Sequence, residues 1–173
     1  MARRSTSFVL AVAAVFAAAV LVTGCVTEGP PPRDPPTPVP SQPDGIRATR
    51  MLPTVAQFAI DTNGNGLGDL IQPTIFLFND QYAFPLALRG AFTFRLMTHH
   101  GRLLTTWEFD SAKAQAAVRM LNPGPGYVFE LDMLKAGGEY PELASCDLFV
   151  TFAPQDGPAI QSRGPTTVTL RVR

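Results

Sequence analysis

The sequence is short of the groups that usually carry metal, redox or disulfide chemistry. Its 173 residues include two cysteines, two histidines and one tryptophan. Two cysteines permit at most one disulfide, which excludes the densely stapled scaffolds of small secreted domains. No Cys-x-x-Cys, His-Glu-x-x-His or Gly-x-Ser-x-Gly occurs, and no glycine-rich phosphate loop precedes a helix. Charge is sparse and balanced, with 14 Lys+Arg against 14 Asp+Glu and no basic run. Such a surface has no electrostatic reason to seek nucleic acid. On these absences no enzyme activity is expected.

What is present begins at the N-terminus. Arg3 and Arg4 precede residues 8–22, fifteen positions that hold only small or apolar side chains. That length suits the apolar region of a signal peptide and falls short of the roughly 20 residues of a bilayer span. Leu21-Val22-Thr23-Gly24-Cys25 closes the run. It resembles the lipobox of bacterial lipoproteins, with Val22 where Leu is usual. The resemblance implies cleavage before Cys25, a diacylglyceryl group on its sulfur, and palmitate-type chains as the membrane anchor. Each buried methylene adds ~0.8 kcal/mol, so more than one chain anchors stably. Val26 is not the Asp that holds many such proteins at the inner membrane, so an outer membrane is favoured where one exists. The body then faces the periplasm or the exterior.

Residues 26–45 carry Pro30, Pro31, Pro32, Pro35, Pro36, Pro38, Pro40 and Pro43 with almost nothing apolar to bury. Such a stretch favours extended polyproline II at about 3.1 Å per residue and acts as a semi-rigid spacer. Three parts follow: a signal peptide over 1–24, the lipidated cysteine with a Pro-rich stalk over 25–45, and one domain over 46–173. With Cys25 acylated, Cys146 has no partner in the chain. The domain must therefore stand on its core, which 46% hydrophobic residues and 12 Phe can supply.

Period-two alternation recurs through this domain. Phe92, Phe94 and Leu96 share one face; so do Tyr127, Phe129, Leu131 and Met133; so do Cys146, Leu148, Val150 and Phe152; so do Val168, Leu170 and Val172. Residues 74–78 read as a strand covered on both faces, and 51–60 and 103–109 as further strands. About seven or eight short strands between Gly, Pro, Asn and Asp turns predict a mainly β fold, an antiparallel β-sandwich. One short helix is expected over residues 111–121, where Ala114, Ala117, Val118 and Leu121 fall at helical spacing and Asp110 or Ser111 can cap. The layout of lipobox, Pro-rich stalk, Asn/Gly/Asp loop and Trp-Glu-Phe strand is similar to small uncharacterised β-sandwich lipoproteins, which implies no particular activity.

One segment has the character of a ligand motif. Asp61-Thr62-Asn63-Gly64-Asn65-Gly66-Leu67-Gly68-Asp69 resembles the opening of calcium loops of the EF-hand, dockerin or thrombospondin-repeat kind. Asp61, Asn63 and Asn65 take the first, third and fifth places, the Leu67 carbonyl the seventh, and Asp69 the ninth. The twelfth holds Gln72 instead of a bidentate Glu, so affinity would be ~10⁻⁴–10⁻³ M at best. A turn built on Asn-Gly dipeptides without metal is the competing expectation. His99 and His100 precede Gly101 and read as a hairpin tip, where neighbours point apart and do not share one metal. Trp107 and Cys146 read as core residues, although an exposed Trp107 would suit a sugar. Glu108 with Asp110, and Glu130 with Asp132, read as solvated strand faces rather than glycosidase pairs.

The expected role is thus a lipid-anchored structural or interaction module of the cell envelope, with a protein partner there. The alternative is a calcium- or carbohydrate-binding module that uses residues 61–69. No cofactor is required; calcium is the optional one.

Overall fold

The computed structural model describes residues 41–171. The expected signal peptide, Cys25, most of the stalk and Val172 lie outside the described residues. The architecture is mainly β, a sandwich of two antiparallel sheets. Its elements are β1 (Arg50–Thr54), β2 (Leu70–Ile71), β3 (Thr74–Asn79), β4 (Tyr82–Leu86), β5 (Gly90–Met97) and β6 (Leu103–Phe109), then helix α1 (Ser111–Ala116). β7 (Val118–Met120), β8 (Pro125–Val128) and β9 (Leu131–Asp132) lead to helix α2 (Met133–Ala136). β10 (Ser145–Pro154), β11 (Ile160–Gln161) and β12 (Thr166–Thr169) complete the order.

One sheet runs β1-β3-β8-β7, with β4 also on β3. The other runs β11-β10-β5-β6, with β12 also on β10. β2 and β9 form a small third ladder. The alternating rows do what alternation requires: every second side chain of β5 and β10 turns inward. Phe92, Phe94, Leu96, Leu148 and Phe152 are fully buried, and Phe92 meets Tyr127 of the opposite sheet at a ring-centroid distance of 4.9 Å. Tyr127 hydroxyl donates to the Leu88 carbonyl and accepts the Leu88 N–H, each at 2.6 Å. Its buried polar end is thereby satisfied, and burial pushes the phenol up to about 12.

Several expectations about element bounds are corrected. The helix stops at Ala116 instead of 121, because Val118–Met120 pairs with β8 and the Ala117 carbonyl accepts the Val128 N–H. The helical spacing of Val118 and Leu121 was coincidental, and β-branched Val118 suits the ladder better. Asp110 is the cap, its side chain accepting the Lys113 N–H at 2.8 Å. The row from Tyr127 to Met133 is not one strand. It passes from β8 through β9 into α2, where Asp132 caps by accepting the Lys135 N–H. All four apolar side chains of the row stay buried, so the pattern recorded burial and not strand continuity. Of residues 51–60 only the first part is strand; Phe58 and Ile60 make isolated bridges to Thr169 and Leu70. The described residues thus hold two short helices instead of one, and more, shorter strands than expected. Leu67 bridges to Arg171, and Gly68 passes so close to Ala59 that an added Cβ would lie 2.5 Å from the Ala59 Cβ. These contacts tie the loop of residues 61–69 to the end of the sandwich where β10 begins and β12 ends.

Candidate functional site

That end of the molecule carries three polar assemblies. The first is the 61–69 loop. Asp61 accepts the N–H of Gly64 and of Gly66, each at 2.7 Å. The Gly66 N–H, helped by those of Gly64, Asn65 and Asn63, holds the Asp61 carboxyl below its ordinary value. Gly64 and Gly66 take positive φ of 77° and 83°, which explains glycine at both places. Asn63 Oδ1 accepts the Asn65 N–H and Asn65 Oδ1 accepts the Leu67 N–H. Their amide nitrogens both donate to the Glu139 carboxylate, at 2.5 Å from Asn63 and 2.7–2.8 Å from Asn65.

Glu139 lies 76 positions from Asn63 and carries no local signal that sequence reading could use. It brings to the two asparagines a carboxylate that the contiguous motif, with Gln72 at its twelfth place, does not supply. Asp69 is placed differently from the expectation. It is 1% exposed, and its carboxylate accepts the Thr62 N–H at 3.2 Å and the Thr62 hydroxyl at 2.7 Å. It buttresses the loop from beneath. Asp61, Asn63, Asn65 and Leu67 remain together on the loop, with Glu139 joining them. Among the described residues no group of three or more His, Cys, Asp or Glu side chains could hold a metal.

The second assembly is a cavity of about 450 Å³ lined by Thr62, Asp69, Trp107, Glu130, Asp132 and Lys135 with their neighbours. Trp107 is half-buried, and its indole N–H donates to the Asp132 carbonyl at 3.2 Å. It packs against the core as expected, though only partly buried, and is not the flat exposed platform that stacking on a sugar needs. Lys135 Nζ sits 2.7 Å from Asp132, and each charge favours the other's ionised form. Glu130 is exposed and lines the same cavity, while the Asp132 carboxylate serves the helix cap and Lys135.

The third assembly lies at the β5–β6 turn. His99 Nδ1 is 2.8 Å from Asp147 Oδ2, and His99 Nε2 is 2.9 Å from Ser145 Oγ. Thr167 hydroxyl donates to the other Asp147 oxygen at 3.0 Å. His99 and His100 do occupy the turn expected of them, but His99 is engaged across two strands. Sequence reading missed this, since 46 positions separate His99 from Ser145. Between these residues Cys146 points the other way, into the core. Burial, with a lesser contribution from Asp147, pushes its thiol up to about 12, so it is an inert core thiol as expected.

No protein-family model and no curated protein matches the chain. Among solved structures it is similar to the crystal structure of MtrC from Shewanella baltica OS185, at 13% sequence identity and a TM-score of 0.42. That match covers 70% of this chain and 22% of MtrC, so the chain spans about a fifth of that protein's length.

Proposed function

We propose that the chain is a lipid-anchored protein of the cell envelope whose β-sandwich serves as a structural or interaction module. The observation that carries this reading is Leu21-Val22-Thr23-Gly24-Cys25 behind an apolar run of signal-peptide length and ahead of a Pro-rich spacer. Among the described residues no helix is long and apolar enough to cross a membrane. In this reading acyl chains on Cys25 hold the protein to the membrane, with the outer membrane favoured where one exists. The stalk lifts the domain toward its partner in the periplasm or exterior. Edge strand β7, which leaves Met120 68% exposed, supports docking of an envelope protein by strand addition. Growth with labelled palmitate and mass spectrometry of the mature N-terminus test the anchor. Label on Cys25 that is lost in Cys25→Ala is expected, and an unacylated Cys25 would refute the reading.

A second reading, a calcium-stiffened loop, gains support from Glu139. Asp61, Asn63, Asn65, the Leu67 carbonyl and Glu139 together make an oxygen-rich set suited to a hard cation. The fit is one of chemistry and not of finished geometry. Both amides present N–H groups to Glu139, so they would have to turn over and release the Asn65 and Leu67 N–H groups. Thermal unfolding of the full chain with millimolar calcium, then with excess chelator, tests it. A calcium-dependent rise in Tm that Glu139→Gln removes is expected, because a ligand bound only to the native state must stabilise it. An unchanged melt retires the metal.

A further inference from the structure

We infer that His99, Ser145 and Asp147 form a surface acyl-transfer site, with Ser145 as nucleophile and short-chain esters as its substrate class. The inference is independent of the lipid anchor and of the calcium loop. It begins with the register. Met97 pairs with Asp147, so the same β5–β10 register carried two positions onward sets residue 99 opposite residue 145. Asp147 also pairs with Thr167 of β12. Cys146 and Leu148 point into the core, so Ser145 and Asp147 share the outer face of β10. Three neighbouring segments thus lay Thr167, Asp147, Ser145 and His99 across one surface.

The order of contacts is what the chemistry needs. A carboxylate only accepts, so in the uncharged ring, the form a general base must take, Asp147 fixes the proton on Nδ1. Nε2 is then left with its lone pair, and at 2.9 Å the only fitting role for Ser145 is to donate its Oγ–H. This is the arrangement of nucleophile, base and orienting group, recognised by geometry and not by position in the chain. Thr167 holds the second Asp147 oxygen, which leaves the carboxylate little freedom to leave the ring. The turn itself is closed by Gly101 N–H to the Thr98 carbonyl at 2.9 Å and Arg102 N–H to the Thr98 hydroxyl at 3.1 Å. His99 is therefore presented from a fixed turn, yet its side chain is 48% exposed and open to substrate.

The His99 side chain is exposed at the surface, so the site offers an acyl group only limited apolar contact. Met97, paired with Asp147, lies on the same outer face and is half-buried, enough to receive a short acyl chain. In the reaction, Ser145 Oγ bonds to the ester carbonyl carbon as His99 Nε2 takes its proton. The carbon–oxygen bond to the leaving alcohol breaks, and the alcohol departs with that proton. Water then attacks the acyl-serine, giving a proton to Nε2, which returns it to Ser145 Oγ as the carboxylic acid leaves. Asp147 and Thr167 are positioning residues.

The test uses the purified full chain, a fluorophosphonate probe and p-nitrophenyl butyrate. Peptide mapping should place the phosphonate on Ser145 in the unaltered protein, and Ser145→Ala should abolish both labelling and the ester burst. His99→Ala should slow acylation by ~10²-fold or more, and Asp147→Asn should lower kcat while leaving KM unchanged. His100→Ala should leave the rate as it was, which separates this site from ester hydrolysis by any exposed imidazole. Failure of the probe to reach Ser145 would overturn the proposal without needing any variant to fold. Equal acylation rates with and without the His99 imidazole would overturn it too, and would reduce the contacts to a strand-bridging role.

Discussion

The 61–69 loop and the β5–β6 turn are both polar, both exposed, and both at the end of the sandwich where β10 begins. They share side-chain contacts, with Asn63 and Asn65 on Glu139 in the loop, but differ in what else holds them. In the loop nearly every polar side chain spends itself on backbone N–H groups, and Asp69 is buried beneath it. At the turn, His99, Ser145, Asp147 and Thr167 bond to one another, side chain to side chain. Groups committed to the backbone stabilise a shape. Groups committed to each other, on a surface that is already folded, are available for chemistry. The motif-rich segment is thus the more structural of the two, and the segment without a motif is the more reactive.

Substitutions can break this contrast. The largest expected effect is at Asp69. Asp69→Ala removes the buried carboxylate that accepts the Thr62 N–H and hydroxyl and should cost about 1–2 kcal/mol, a fall in Tm of roughly 3–8 °C. A loss as small as that of an ordinary surface substitution would mean that the loop is not fastened through Asp69.

Acid provides a finer probe of the same loop. The folded-state value of Asp61 is depressed by the Gly66 and Gly64 N–H groups. Its contribution is therefore present above the ordinary carboxylate value of about 3.9 and disappears as pH falls through the folded value. Melts of wild type and Asp61→Asn should differ most near neutral pH and converge below about pH 4. A gap that persists under acid would assign the effect to packing rather than charge.

The smallest stability effect belongs to the turn. His99→Ala should shift stability by no more than ~0.5 kcal/mol, as for an exposed side chain without backbone bonds. A drop as large as that at Asp69 would erase the contrast and make the turn structural as well.

Much of the sandwich was legible because β5 and β10 alternate without interruption, and alternation against one covered face has a single solution. Residues 118–136 were harder to read for the complementary reason. Their apolar side chains keep a period that serves strand, turn and helix alike, so burial was readable while element type was not. The loop motif singled out Asp61, Asn63 and Asn65, whose side-chain oxygens each accept backbone N–H groups within the loop. It misplaced Asp69, because a ninth-place carboxylate and a buttress to Thr62 look the same in one dimension. Glu139 was invisible, since nothing near it in the chain hints that it meets an asparagine pair 74–76 positions away.

The sequence by itself determined the features that depend only on neighbours along the chain. These are the β class, the Asn-Gly turns at positive φ, a helix start capped at Asp110 or Ser111, and the lipobox resemblance with its Pro-rich spacer. Tertiary structure alone decided what depends on strand register: Glu139 against the loop, and His99 over Ser145 and Asp147. The physical reason is that backbone propensity and side-chain alternation act over a few residues. Register joins segments far apart in sequence, and it is the summed burial of Phe92, Phe94, Leu96, Leu148 and Phe152 that fixes it.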